Sequence, residues 1–220
     1  MRLMDQDTQN QVRSLLSAIK TPVTLHMFTQ ELECGYCQET HQIAEEVAEL
    51  SDLVTLKTSD FVQDAELARA MGVDKVPALA VLGEGDKDYG IRFFGIPSGY
   101  EFTSLIEALL LVGTGEVDLT ASTVDYLNNL EEPVHLQVFV TPTCPYCPRA
   151  VNLAHQMAYV SDKVTADMVE VSEYPHLGQR YEVMGVPRTV INENAYIEGA
   201  APEQMLLEKV KTSVRQASKA

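Results

Sequence analysis

The sequence is poor in basic residues: Lys and Arg number 16 against 32 Asp and Glu, a formal net charge of −16. Non-specific nucleic-acid binding depends on Lys and Arg, so this balance disfavours it and no nucleic-acid partner is expected. Residues 93–148 contain no Lys or Arg at all. We interpret the charge mainly as a source of solubility; the alternative is that acidic groups surround a functional site.

Long apolar runs are also missing. No run is long enough to cross a bilayer, so no membrane association is expected. The first seven residues lack the apolar core of a signal peptide, which predicts a cytoplasmic location. A glycine-rich nucleotide fingerprint is absent as well, so no flavin, NAD(P)H or other cofactor is expected.

Only four cysteines are present, in two tight pairs, Cys34 with Cys37 and Cys144 with Cys147. In a reducing compartment this spacing is typical of redox or metal chemistry rather than of structural disulfides. The second pair follows the apolar, β-branched run 134–140 and precedes apolar residues at helical spacing, which predicts a strand-to-helix junction. Free backbone N–H groups and the helix dipole there stabilise a thiolate, the reactive form of cysteine. We therefore expect Cys144 to be a nucleophile and Cys147 its resolving partner.

The order of predicted elements around the first pair returns around the second. In both halves the pattern predicts a helix, a strand, the cysteine pair, a helix, a strand, a short helix, a hairpin and a last helix. Val-Pro steps also recur, because Pro77 and Pro187 each lie forty residues after a cysteine pair. We interpret this as one unit duplicated, with units at residues 1–115 and 116–220.

One local motif predicts where the last helix of the first unit begins. Ser98 and Glu101 have the spacing of a capping box, in which each side chain accepts a hydrogen bond from the backbone of the other. The helix is therefore expected to start at this point.

Two motifs carry a family resemblance. Cys144-Pro145-Tyr146-Cys147 after a strand resembles the active site of glutaredoxins, and the Gly-Val-Pro step at 185–187 resembles a segment of the thioredoxin superfamily. Two units with a Cys-x-x-Cys each resemble the protein disulfide oxidoreductases of the glutaredoxin-like type, over nearly the whole chain. The resemblance implies an α/β fold of two tandem thioredoxin folds, each with a mixed central sheet flanked by helices.

The resemblance also implies a function, a dithiol–disulfide oxidoreductase that reduces protein disulfides and could form or isomerise them. Cys144 and Cys34 would attack, and Cys147 and Cys37 would resolve the mixed disulfide. In the superfamily the proline is cis and faces the cysteines. The substrate-binding residues implied in this way are Pro187, Val186, Pro77 and Val76.

Two other functions remain open at this point. The N-terminal domain of flavoprotein alkyl hydroperoxide reductases is a relative with two thioredoxin folds, so the chain could be an electron relay that recharges a peroxiredoxin. Alternatively, the cysteine pairs could form a metal-binding or interaction module. Cys34, Cys37 and His41 have C-x2-C-x3-H spacing, but a fourth ligand is not evident nearby, and we expect no metal ion.

The two sites are expected to be unequal. Glu31 and Glu33 place negative charge beside Cys34, which should disfavour its thiolate, whereas Thr143 brings no such charge to Cys144. Pro145 is expected at the opening of the following helix, where its fixed φ suits the first turn.

The electron donor is expected to be a flavoprotein thioredoxin reductase. Gly199 follows the last predicted strand, where glutaredoxins often have a glycine pair, but Ala200 replaces the second glycine. We therefore expect weak activity with glutathione.

Overall fold

The computed structural model describes residues 2–217 of the chain. Its strands are β1 (Val23–Thr29), β2 (Val54–Asp60), β3 (Ala78–Leu82), β4 (Asp88–Phe94), β5 (Val134–Val140), β6 (Val164–Glu170), β7 (Arg188–Ile191) and β8 (Ala195–Glu198). Its α-helices are α1 (Gln6–Leu16), α2 (Cys37–Ala48), α3 (Ala65–Ala70), α4 (Glu101–Thr114), α5 (Ala121–Asn128), α6 (Cys147–Val160), α7 (Pro175–Arg180) and α8 (Glu203–Ala217). Within the described residues, no helix is long and apolar enough to span a membrane.

Strand β5 shows why the apolar runs become central strands. All but one of its residues are buried, because both faces of the sheet are covered by other elements. Alternate side chains point to opposite faces, so Val138 and Phe139 pack in different cores. Most of the strand is therefore apolar, and its buried polar residue Gln137 donates a hydrogen bond to Glu193 at 2.9 Å.

The strands of both halves form one sheet. Among the described residues it has eight strands in the order β2-β1-β3-β4-β6-β5-β7-β8. The halves join where β4 pairs in parallel with β6, from Ile91 opposite Ala166 to Phe94 opposite Val169. The prediction of two thioredoxin folds with mixed sheets is confirmed, and the two sheets are continuous with each other.

Two hydrophobic cores lie on opposite faces of this sheet. The larger one packs side chains of α1, α2, α4, α6 and α8 against the sheet. The smaller one lies under the short helices α3 and α7 and crosses the junction of the halves. Its aromatic members come from both units: Phe28, Phe94, Phe139, Tyr174 and Tyr181.

Helix α4 corrects the predicted capping box. The N-cap residue of α4 is Tyr100, and its side chain makes no capping hydrogen bond among the described residues. Glu101 is fully buried and accepts a hydrogen bond from the Ser104 hydroxyl at 2.7 Å. The spacing was misleading because this carboxylate faces inward, where it cannot reach back to the backbone of Ser98.

The division at residue 115 stays a prediction. Helix α4 ends at Thr114, and Gly115 follows it in the left-handed conformation that often terminates helices. The outer ends of the two predicted units, residue 1 and residues 218–220, lie outside the described residues.

Candidate functional site

Both cysteine pairs lie at the same end of the sheet, where strands β1 and β5 terminate. Strands β1 and β5, which precede the two pairs, run in the same direction. Strand β3 is antiparallel to both β1 and β4, so β1 and β4 are parallel to each other. Strands β4 and β5 both pair in parallel with β6. The register confirms this, since one row across the sheet holds Phe28, Ala78, Phe94, Val169, Phe139 and Arg188. Four strand spacings of about 4.8 Å separate β1 from β5, so the two sites are roughly 19 Å apart across this end of the sheet.

The second pair is joined in a disulfide with a Cα–Cα distance of 5.5 Å. Cys147 is the first residue of α6 and is 0% exposed, whereas Cys144 lies in the preceding turn and is 7% exposed. Cys144 is therefore the less buried of the two cysteines. The proline of the first helical turn is Pro148 rather than Pro145, which lies before the helix. That part of the sequence interpretation was wrong, because the helix begins at the second cysteine of the pair.

A peptide loop faces this disulfide from the start of β7. The Val186–Pro187 bond is cis. The carbonyl oxygen of Val186 lies 3.8 Å from the Cys144 sulfur. The substrate-binding role that the resemblance implies for Val186 and Pro187 stays a prediction.

The first pair repeats this arrangement. Cys34 and Cys37 form a disulfide with a Cα–Cα distance of 5.5 Å, and the Val76–Pro77 bond is cis. Cys37 begins α2 and is buried, while Cys34 is partly exposed. Glu33, next to Cys34, has a φ of 59°, a left-handed conformation that is uncommon for residues other than glycine.

A loop from the first unit packs against the second motif. The backbone N–H of Tyr100 donates to the carbonyl oxygen of Pro142 at 2.9 Å. At Gly99, a Cβ would lie 2.3 Å from that same carbonyl oxygen, so only glycine permits this approach. The Cys144 turn is thus supported by residues of the first unit, which sequence reasoning did not predict.

One buried and one half-buried carboxyl group, those of Glu101 and Glu173, lie at or near the junction of the two units. Burial raises the pKa of Glu101 to about 7, although the hydrogen bond from Ser104 acts to lower it. Burial likewise raises the pKa of Glu173 to about 7, although the Ile96 N–H donates to it at 2.6 Å. The alternative interpretation of the acidic composition, that acidic groups surround a functional site, stays a prediction.

A further polar cluster went unnoticed in the sequence. His135 contacts Asp167 at 2.7 Å through Nε2 and Glu193 at 3.0 Å through Nδ1. Burial alone would lower the pKa of His135, but these two carboxylates raise it overall. The cluster lines a cavity of about 300 Å³ that also includes Arg92 from the first unit. His135 is the second residue of β5, so it lies toward the opposite end of the strand from Cys144; no local spacing signalled it, because its partners are distant in sequence.

Metal ligation by the first pair is not supported by the geometry. The sulfurs of Cys34 and Cys37 are bonded to each other. Across residues 2–217, no group of three or more His, Cys, Asp or Glu side chains is arranged to hold a metal ion.

Comparison with known proteins agrees with this geometry. A thioredoxin-domain family model matches residues 134–212, the greater part of the second unit. The chain is 26% identical over 220 residues to the alkyl hydroperoxide reductase protein AhpF of Pseudomonas putida, covering 99% of this chain and 39% of that protein. The chain thus spans about two fifths of the length of the curated relatives that it matches.

Two solved structures are similar over nearly the whole chain. A protein disulfide oxidoreductase from Aeropyrum pernix K1 superposes with a TM-score of 0.90 at 29% identity, covering 98% of this chain and 96% of that one. The likeness agrees with two tandem thioredoxin folds, each with a Cys-x-x-Cys motif joined in a disulfide. A mutant of the alkyl hydroperoxide reductase protein AhpF from Enterococcus faecalis gives 0.88 at 27% identity, covering 95% of this chain and 100% of that one. The predicted resemblance to protein disulfide oxidoreductases is confirmed.

Proposed function

We propose that this protein is a dithiol–disulfide oxidoreductase that reduces protein disulfides, with Cys144 as the attacking residue and Cys147 as the resolving residue. The observation that carries the assignment is the difference in burial within the pair, since Cys144 is 7% exposed and Cys147 is 0% exposed. The Val186 carbonyl beside its sulfur supports a substrate-binding role for Val186 and Pro187.

The reaction has two exchange steps. The Cys144 thiolate attacks one sulfur of the substrate disulfide, forms a mixed disulfide and releases the other substrate sulfur as a thiolate. The Cys147 thiolate then attacks the Cys144 sulfur and releases the second substrate sulfur. The substrate gains two electrons and two protons, and the protein is left with the Cys144–Cys147 disulfide.

The same roles are proposed for the first pair, with Cys34 attacking and Cys37 resolving, and with Val76 and Pro77 beside them. Cys34 is the more exposed sulfur of this pair. Continued turnover needs a dithiol or flavoprotein reductant that reduces both disulfides. A reducing compartment such as the cytoplasm suits this direction of reaction.

Insulin reduction by the wild type and by four single Cys→Ser variants tests the assignment. The reducible disulfides of insulin serve as a general protein substrate, with dithiothreitol as the reductant. We expect Cys144→Ser to remove most of the activity. When reduced Cys147→Ser protein is mixed with insulin after removal of dithiothreitol, a mixed disulfide should accumulate that mass spectrometry detects. A wild-type protein that reduces no faster than dithiothreitol alone would disprove the proposal.

A second candidate is the recharging of a peroxiredoxin. It is favoured by the likeness to the AhpF protein of Enterococcus faecalis over 95% of the chain. In the test, the reduced protein is mixed with an oxidised peroxiredoxin and the thiols on each partner are counted. Transfer at least as fast as insulin reduction would favour this role, and no transfer would exclude it.

A further inference from the structure

A row of buried polar side chains crosses the centre of the sheet at the junction of the two units. Arg92 of β4, Asp167 of β6 and Gln137 of β5 are neighbours in register and are 5%, 7% and 4% exposed. Two residues further along each strand, on the same face, the row is apolar and consists of Phe94, Val169 and Phe139. Burying polar groups costs free energy, and an apolar row would have continued the smaller core. Packing alone therefore does not explain the polar row.

The polar row lines the cavity of about 300 Å³ described above, which we call the junction cavity. Its walls come from both units, with Gly90 and Lys75 from the first and His135 and Arg180 from the second. The volume is at the lower end of the range for small-molecule sites. None of the cysteines, all of which lie in the described part of the chain, lines this cavity. A ligand bound here would therefore not be a substrate of the sulfur chemistry.

The hydrogen-bond donors of Arg92 are all used within the protein. Its guanidinium donates to the carbonyl oxygens of Met71 and Ile91 and to the carboxylate of Asp88. His135 likewise directs both ring nitrogens at carboxylates. Arg92 and His135 therefore supply no free donor to a ligand.

Two hydrogen-bond acceptors in the polar row stay open. Asp167 binds His135 through one carboxylate oxygen at 2.7 Å, and no residue in the described range 2–217 donates to its other oxygen. The amide nitrogen of Gln137 donates to Glu193 at 2.9 Å, whereas its amide oxygen has no donor among the described residues. An ammonium group, which has three N–H donors and no acceptor, suits a carboxylate oxygen beside an amide oxygen.

Arg180 lies at the rim of the junction cavity with a largely free guanidinium. Its side chain is 65% exposed, and its ion pair with Glu193 is as long as 3.8 Å, beyond hydrogen-bond distance. Lys75, the other cation of the walls that Arg92 and His135 leave, is already paired with Asp74. A guanidinium binds a carboxylate through two parallel hydrogen bonds, so Arg180 offers a place for a ligand carboxylate.

The charges of the junction cavity balance one another. Two carboxylates raise the pKa of His135, which favours its cationic form. The four cationic side chains face four carboxylates, and the full set is Lys75, Arg92, His135 and Arg180 with Asp74, Asp88, Asp167 and Glu193. A ligand without net charge preserves this balance, whereas an anion or a cation of the same size would disturb it.

We propose that the junction cavity binds a small zwitterion, an amino acid or short peptide whose ammonium group binds Asp167 and Gln137 and whose carboxylate binds Arg180. The ligand has no net charge, and each of its ends meets groups of opposite or complementary character. Because the cavity walls belong to both units, bound ligand stabilises the junction between them.

The test is a titration of the full chain, in its disulfide form at neutral pH, followed by the backbone amide NMR signals. The probes are glycine, diglycine and triglycine, each added to about 10 mM, a range that suits ligands of so few atoms. One length should bind best, because both ends must be reached together, and the signals of Gly90 and Thr165 should shift saturably. The acetylated and the amidated forms of that probe each lack one charge and should bind about tenfold more weakly.

Matched variants locate the two ends of the ligand. Arg180→Gln should weaken binding of the free zwitterion about tenfold but leave binding of the amidated form unchanged, since that form has no carboxylate. Arg13→Gln removes an equally exposed cation on α1 and should change neither. Gln137→Leu removes one acceptor for the ammonium group and should weaken both forms. Arg180 and Arg13 are exposed, so their substitutions are compatible with folding and decide the question even if Gln137→Leu does not fold.

Three results would overturn the proposal. The first is that no probe shifts the signals of Gly90 and Thr165 saturably. The second is that the acetylated form binds as tightly as the free zwitterion, which would exclude an ammonium site at Asp167. The third is that Arg13→Gln weakens binding as much as Arg180→Gln, which would show a general effect of charge in place of a site.

Discussion

The hydroxyl of Tyr174 donates a hydrogen bond to the carbonyl oxygen of Pro77, at an oxygen–oxygen distance of 3.2 Å. Tyr174 belongs to the second unit and Pro77 to the cis-proline loop of the first site. The same carbonyl accepts a second hydrogen bond, from the Gly95 N–H at 2.9 Å. Burial raises the pKa of Tyr174, so its hydroxyl stays protonated and remains a donor. One unit thus helps to hold the cis-proline loop of the other.

Replacing Tyr174 with Phe should disturb the first site more than the second. The loss of one buried hydrogen bond is expected to lower the free energy of unfolding by about 1 kcal/mol. In a background with Cys144 and Cys147 both replaced by serine, KM for a disulfide peptide should rise while kcat changes less, because the loop is proposed to position substrate. Tyr181→Phe removes a hydroxyl from the same core without touching Pro77 and serves as the control. Equal kinetic effects of the two variants would contradict this role.

Glu101 should make the protein less stable as pH rises toward 7. Its folded pKa is about 7 against 4.5 for the ordinary side chain, so ionisation favours the unfolded state. The stability is complete below about pH 4.5 and is lost as pH rises through about 7. The full difference amounts to about 3 kcal/mol, an order-of-magnitude value. Glu101→Gln should therefore gain stability relative to the wild type as pH rises.

Urea unfolding at pH 4.5 and pH 8 checks this prediction. The difference in unfolding free energy between Glu101→Gln and the wild type should grow by about 3 kcal/mol between the two values of pH. The exposed Glu84 offers a control, because Glu84→Gln should show no such growth. A difference that stays constant with pH would show that Glu101 ionises freely in the folded protein.

His155 should make the protein sensitive to acid. Its ring packs edge-on against Phe93, and among the described residues neither ring nitrogen has a hydrogen-bond partner of normal geometry. Burial lowers the pKa of His155 to about 3, and the backbone of Arg92 offsets only part of this. The folded state therefore holds the neutral ring, and its stability is lost as pH falls below about 6.5, the value of the unfolded chain.

The substitution His155→Leu should remove this sensitivity. Between pH 7.5 and pH 5 the wild type should lose about 2 kcal/mol relative to the variant, because only the unfolded wild type gains a proton over that range. Leu also removes two unpaired buried nitrogens, so a gain of about 1–3 kcal/mol is expected at pH 7.5. His41→Leu on α2 is the control. If the wild type and His155→Leu lost the same stability on acidification, the assignment to His155 would be refuted.

Cys144 should become a thiolate at lower pH than Cys34. Glu33 precedes Cys34 directly, and a carboxylate so close can raise the pKa of a thiol by about one unit. Iodoacetamide labelling of the reduced protein across pH, followed by peptide mass spectrometry, measures the midpoint for each thiol. Glu33→Gln should lower the midpoint of Cys34 and leave that of Cys144 in place. The two thiols are compared by their labelling midpoints and not by their labelling rates at high pH. The rates also depend on exposure, and Cys34 is more exposed than Cys144. A lower midpoint for Cys34 than for Cys144 would reverse the order.

The parts of the structure that depend on local pattern could be predicted from the sequence. Strand β5 was predicted with its observed bounds, because a β-branched run bounded by Pro133 and the cysteine motif has one simple interpretation. Both cis prolines followed from the resemblance. Contacts between the units could not be predicted, since the pairing of β4 with β6 and the contact of Gly99 with Pro142 join residues far apart in sequence. The burial of Glu101 and of His155 could not be predicted either.

The pairing of β4 with β6 also bears on how the protein avoids aggregation. A sheet edge presents unpaired N–H and C=O groups that can recruit a strand from another molecule. Two separate sheets would have four such edges, and their union leaves two, β2 and β8. Strand β8 is four residues long, and β2 carries Lys57 and Asp60, features that discourage further pairing. Cutting the chain between its halves would therefore expose two long strands, so either half alone is expected to associate with itself.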